Sequence, residues 1–165
     1  MKSKILFSII LALFIFSACS SEKTIGLKEN IHHDDFEYSV QNVSKTQFIG
    51  SVKAKSFFYI VTFRVENNAK RVGHDWDNSI AYLTDENGTE YEDSYEFQKR
   101  LRFRGTYPFN LLEKYRTQPG ETDSTLLVFE LPADAKEVYL KVRGEFLMGD
   151  LFDGSQFKKT RIKLF

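Results

Sequence analysis

This chain of 165 residues has one cysteine and only three prolines. A single thiol cannot form an internal disulfide, so the fold draws no stability from a covalent staple. A chain of this length buries a core without one. Excess charge of either sign is also missing: 23 lysines and arginines balance 23 aspartates and glutamates. That balance excludes the strongly basic surface expected of a nucleic-acid binder. There is no Gly-x-Ser-x-Gly nucleophile elbow, and the three histidines lie toward the N-terminal side with no serine motif to serve. No internal repeat or low-complexity tract occurs. The most apolar stretch, Ile5 to Phe16, is twelve residues long, short of the roughly 20 needed to span a bilayer as a helix.

That stretch follows Lys2 and Lys4 and precedes Ser17-Ala18-Cys19, the three parts of an export signal. Ser17-Ala18-Cys19 resembles a bacterial lipobox, which implies a diacylglyceryl thioether on Cys19 after removal of residues 1–18. Phe16 departs from the aliphatic residue usual three places before the cysteine. Two other readings also leave the remainder outside the cytoplasm: Cys19 as the last residue of an ordinary secretory signal, or as part of an uncleaved apolar anchor. With lipid on Cys19 the partner is the membrane, and the polar run from Ser20 reads as a tether to about Asp34. The mature chain of 147 residues carries a net charge of −2 and forms one domain over 35–165.

Sixteen Phe and eight Tyr, with Val, Ile and Thr, favour strands. Phe36 to Val43 alternates apolar and polar residues at the strand period, with Gln47 to Val52 as a short candidate partner. Phe57 to Glu66 is the strongest strand: Val61, Phe63 and Val65 share one face, and its front half is apolar on both faces, as for a central strand covered on two sides. Asn87-Gly88 between Ile80 and Tyr91 predicts a hairpin with a type I′ turn. Thr125 to Leu131, Glu137 to Val142 and Lys158 to Phe165 complete seven or eight short strands. Without a long amphipathic helix, the pattern predicts an all-β, antiparallel β-sandwich.

Four segments in order, Tyr59-Ile60-Val61-Thr62-Phe63-Arg64-Val65-Glu66-Asn67-Asn68, Leu83 to Tyr91, Pro119-Gly120-Glu121 and Val128-Phe129-Glu130-Leu131-Pro132, carry a resemblance. They are similar to the telokin-like, immunoglobulin-like domain of unknown function of bacterial surface lipoproteins. The likeness covers about Phe36 to Val142. It implies an extracytoplasmic sandwich with a lipid-anchored N-terminus and carries over no catalytic residue. The insertion near 92–117 and the region Phe146 to Gly154 depart from the family pattern.

Four stretches bear on chemistry. In His32-His33-Asp34-Asp35, neighbours on a strand point to opposite faces and seldom share a metal ion, so a solvated end of the tether is expected. His74-Asp75-Trp76-Asp77 is expected in a loop after the central strand, with Trp76 against the core; a metal-dependent or enzymatic module there is the alternative. Asp85-Glu86-Asn87-Gly88 misses calcium-loop spacing, since Gly88 falls fourth rather than sixth. The fourth stretch, Tyr95 to Arg116, has six basic residues against two acidic ones.

If that stretch is extended, Arg100, Arg102 and Arg104 form a basic stripe opposite Leu101 and Phe103. With Tyr95 and Phe103 they form a candidate surface for an anionic envelope component or an envelope protein; an edge strand kept soluble by its arginines is the alternative. No cofactor or metal is expected. The expected function is a lipid-anchored, non-catalytic binding or adhesion module in the bacterial cell envelope, with an accessory subunit docking to another envelope protein as the alternative.

Overall fold

Val61, Phe63 and Val65 form the middle of the fold. In a computed structural model that describes residues 22–102 and 111–165, they belong to β4 (Val52–Asn67) and are fully buried. β4 pairs antiparallel with β3 (Phe36–Ile49) on one side and β9 (Thr122–Leu131) on the other. β2 (Ile31–His33) adds to β3, giving the order β2-β3-β4-β9. The opposing sheet runs β1 (Lys23–Ile25), β11 (Thr160–Lys163), β10 (Tyr139–Val142), β6 (Ala81–Thr84), β7 (Glu90–Tyr91). A ribbon of β5 (His74–Asp77) and β8 (Lys114–Thr117) packs at one end. Tyr38, Val61, Phe63 and Phe129 from one sheet meet Leu83, Leu140 and Ile162 from the other in a continuous core. The all-β sandwich expected from periodicity is therefore present.

Several expectations need correction. Eleven strands, not seven or eight, occur among the described residues, because β1, β2, β5 and β8 are too short to show a period. One pair, β1 with β11, is parallel. Gln47 to Val52 is not a separate partner strand: β3 runs on to Ile49 and turns at Gly50 (φ 65°) into β4. The stretch from Cys19 to Asp34 is not all tether, because folded structure starts at Lys23. The Asn87-Gly88 hairpin forms, with Thr84 opposite Glu90, but only Gly88 takes positive φ (80°). A type I′ turn needs it at both central residues. The Asp85 carboxylate instead accepts the Asn87 and Thr89 N–H groups, each at 2.9 Å, and shapes a longer loop closed by the glycine.

The largest difference lies at Tyr95 to Arg102, which forms a helix, α1, rather than an edge strand. Phe97 and Leu101 stand four apart, so a helix places both on one face, and Glu, Gln, Lys, Leu and Arg are good helix formers. That face covers the outer side of the central sheet, where Leu101 and Leu111 pack with Phe58, Leu126 and Val128 in a second core cluster. Gln98, fully buried, accepts from Asn78 at 2.6 Å and donates to Thr125 at 2.9 Å, which satisfies its amide beneath the helix. The front half of β4 is thus covered on both faces, as its unbroken apolar pattern requires. Two short helices, α2 (Asp150–Asp153) and α3 (Gln156–Lys159), precede β11.

Candidate functional site

Strand pairing brings distant segments to one end of the sandwich. Phe36 opposite Asn67 places the β2–β3 turn beside the end of β4. Val142 opposite Ala81 brings the chain after β10 to the same end. Between these segments and β5 lies a cleft of about 610 Å³, lined by His33, Phe36, His74, Asp75, Trp76, Asp77, Arg143, Gly144, Glu145 and Leu147, among others. Its size lies within the range of small-molecule sites.

The aromatic wall is rigid. The Trp76 indole stacks on Tyr115 with centroids 4.1 Å apart and donates to Thr117 at 2.8 Å. His74 stacks on Phe36 at 4.1 Å, and its Nε2 is hydrogen-bonded to the Tyr38 hydroxyl at 3.0 Å. Burial, helped by the nearby His33, lowers the His74 pKa to about 4, so its ring is neutral at neutral pH. Burial also pushes the Tyr38 phenol up, and it keeps its proton. His74 to Asp77 is a strand paired with β8, not the loop expected. Trp76 does pack against the core.

The opposite wall is pinned from beneath. His33 Nε2 lies 3.2 Å from Asp150 Oδ2 in a pair almost wholly removed from water. Burial works to raise the Asp150 pKa, but the Leu147 N–H and His33 lower it more, and it remains a carboxylate. Because a carboxylate only accepts, His33 Nε2 donates. His33 Nδ1 and Asp150 Oδ1 are buried without a hydrogen-bond partner. The His33 ring stacks on Phe157 at 3.6 Å. Gly144 passes so close that a Cβ there would lie 2.7 Å from the ring, which requires glycine. Of the stretch at 32–35 expected to be solvated, His32, Asp34 and Asp35 are exposed, whereas His33 is buried.

The charged groups of the cleft differ in how far they are committed. Arg143 is bound by Glu90 at 2.9 Å and Glu92 at 2.7 Å and lies over the Tyr82 ring. Asp75 pairs with Arg116 at 3.0 Å. Asp77 caps the following turn by accepting from Ser79. With Glu145 at the rim, the mouth carries three carboxylates against one guanidinium that is already paired to two glutamates. Among the described residues, no group of three His, Cys, Asp or Glu side chains converges as metal ligands would.

A smaller pocket of about 250 Å³ adjoins this end, lined by Asp77, Asn78, Asp93, Tyr95 and Lys114 among others. Burial raises the Asp93 pKa to about 7, against hydrogen bonds from Val128 N–H and Asn78 that lower it.

The residues singled out from the sequence are not brought together. Cys19, Phe103 and Arg104 lie outside the described residues. Tyr95, Arg100 and Arg102 belong to α1, so the alternation that would put the arginines on one face of a strand is replaced by helical spacing. Arg100 faces solvent, and Lys99 pairs with Glu96 at 2.7 Å while lying over the Tyr95 ring. Sequence reasoning missed His33, Asp150, Gly144 and Arg143, which meet only through long-range folding. The one local signal was His33 standing two residues after Ile31, on the same face of a short strand.

No curated protein matches the chain. The yjhA protein from Bacillus subtilis is similar in structure, with 14% identity, TM-score 0.55 and coverage of 87% of this chain and 99% of its own. An uncharacterized beta-sandwich protein from Clostridium difficile has 15% identity and TM-score 0.52, covering 88% of this chain and 95% of its own. The secreted protein MPT63 from Mycobacterium tuberculosis has 11% identity and TM-score 0.54, covering 77% and 93%. At these identities the likeness shows the fold, a β-sandwich. A family model described as Domain of unknown function (DUF4352) matches residues 25–151, most of the chain, and the protein belongs to that family.

Proposed function

We propose that the protein is an extracytoplasmic, lipid-anchored binding module without catalytic activity, and that it takes a small cationic organic molecule into the cleft between β5 and the segment after β10. The observation that carries this reading is the cleft itself, with its rigid aromatic wall and its excess of carboxylates at the mouth. Aromatic faces and the carboxylates of Asp77 and Glu145, neither of them ion-paired among the described residues, both favour a positively charged ligand. Binding rather than catalysis fits the commitments of the polar groups: His33 to Asp150, His74 to Tyr38, and Arg143 to two glutamates. Location outside the cytoplasm rests on Ser17-Ala18-Cys19 and its apolar leader, and it agrees with a shared fold in a secreted mycobacterial protein. No helix among the described residues is long and apolar enough to cross a membrane.

Two experiments test the reading. Ligand-detected NMR with matched amine and carboxylate fragments should find amines alone, with binding weakened in Glu145→Gln. Equal binding of both classes, or none, refutes the ligand assignment. Labelled fatty acid should be incorporated in the bacterial host and lost in Cys19→Ala; incorporation into the variant refutes the anchor.

A further inference from the structure

Four of the eight large apolar side chains exposed among the described residues fall within seven positions: Phe146 (60%), Met148 (69%), Leu151 (62%) and Phe152 (88%). Scattered exposed apolar residues need no explanation, but a contiguous group marks an interaction surface. The group does not hang on a loose loop. Asp150 between them is buried, accepts the Leu147 N–H at 2.8 Å and holds His33. Phe157 just beyond is core. The backbone is thus fixed while the apolar side chains point outward.

The position of the group relative to the chain's entry names its occupant. β1 pairs in parallel with β11, and Lys23 stands opposite Thr160, the residue that directly follows α3. The polypeptide therefore enters the domain at the end where α2 and α3 sit. Lys23 lies only four positions after Cys19, with three residues between them, and a fully extended chain over four positions reaches no more than about 14 Å. A domain of this size has a radius of gyration of about 15 Å, so so short a link cannot turn the opposite end of the sandwich to the bilayer. The hairpin loop at Asn87 lies at that opposite end, since Thr84 pairs with Tyr139 while Ala81 pairs with Val142.

We propose that Phe146, Met148, Leu151 and Phe152 insert into the headgroup layer of the membrane that holds Cys19, fixing the orientation of the domain with its cleft end toward the lipid. This rests on the lipid-anchored reading above. Charge does not drive the contact: over residues 145–159, Lys158 and Lys159 stand against Glu145, Asp150 and Asp153. Zwitterionic lipid therefore suffices. Exposed Val72 on the β4–β5 loop, which also lines the cleft, extends the apolar surface.

The test uses the lipidated full chain in phosphatidylcholine vesicles containing brominated phosphatidylcholine, which quenches tryptophan at bilayer depth. Phe152→Trp and Asn87→Trp each add one indole to the buried Trp76, whose emission is subtracted using the parent protein. Loss of the added emission at position 152, with none at position 87, is the expected result. No quenching at 152, or equal quenching at both positions, overturns the proposal. Failure of the anchor reading is seen separately, as a mass lacking the diacylglyceryl group. In that event the same measurement on protein coupled through the Cys19 thiol to a maleimide lipid decides the docking by the same two outcomes.

Discussion

Asp93→Asn isolates the electrostatics of the segment that leads into α1. The Asp93 carboxylate accepts the Val128 N–H, and the Ser94 N–H donates to the Val128 carbonyl at 2.8 Å, so two neighbouring residues clamp the chain to β9. Burial raises the Asp93 pKa from an ordinary 3.8 to about 7. With the folded value above the unfolded one, the acid contributes stability that is full below the unfolded pKa and is lost as pH rises through about 7. The gap corresponds to a ceiling of about 4 kcal/mol. Between pH 5 and 8, with the carboxylate partly solvated and still accepting hydrogen bonds, a loss of about 2 kcal/mol is expected.

His74 runs the other way. Its lowered pKa, about 4, makes stability fall as pH drops from the ordinary 6.5 toward 4. The decisive quantity is therefore the difference between parent and variant, in which the His74 contribution cancels. Urea unfolding at pH 5, 6, 7 and 8 should show Asp93→Asn gaining on the parent by about 2 kcal/mol toward pH 8. Asparagine keeps the acceptor for Val128, so the clamp survives. Parallel stability curves for the two proteins would refute the burial argument.

Other expected outcomes are more direct. Gly144→Ala places a methyl 2.7 Å from the His33 ring against a wall stacked on Phe157; overpacking of this kind costs about 1–3 kcal/mol, readable as a lowered urea midpoint, and an unchanged midpoint means that this wall can yield. Gln98→Leu takes the acceptor from one Asn78 N–H and removes the hydrogen bond donated to Thr125 beneath α1, a loss of about 1–3 kcal/mol. It should appear with faster amide exchange across Tyr95 to Arg102 than in the parent.

The core of this fold was legible because its signal is local. Val61, Phe63 and Val65 alternate within five residues, and Phe57-Phe58-Tyr59-Ile60 announces a strand with no wet face. The turn chemistry was half legible: Gly88 marks the hairpin, but the Asp85 side chain, by capping two N–H groups, selects a longer loop than Asn-Gly alone implies. α1 was misread because Arg100-Leu101-Arg102-Phe103-Arg104 alternates like a strand, whereas the deciding pair is Phe97 with Leu101, four apart and facing a sheet that needs cover. The cleft was not legible at all. His33 and Asp150 are 117 residues apart, and nothing near either predicts the other; only the register of β2, β3 and β10 brings them to one end.

The same pair explains why an apolar group is held rigid at the surface. Asp150 connects three things at once: the His33 ring, the Leu147 backbone and the first turn of α2. Its lowered pKa means that this linkage contributes stability above the unfolded carboxylate pKa, lost as pH falls through the folded value. Asp150→Asn leaves an amide that accepts less strongly from the buried His33 and from the Leu147 N–H, and weakening hydrogen bonds to a buried charged group in this way costs about 1–3 kcal/mol. Because β2, α2 and α3 lie at one end and the central sheet holds together through β3, β4 and β9, the damage should be local. Amide exchange should quicken at Leu147 and across Asp150 to Asp153 well before the strands of the central sheet open. If exchange rises equally in β4, the pair supports the whole sandwich and the apolar knuckle is not a separately pinned element. If only the end loosens, the protein uses a buried hydrogen-bonded His–Asp pair to orient exposed Phe and Leu side chains, which is the arrangement a surface built for contact requires.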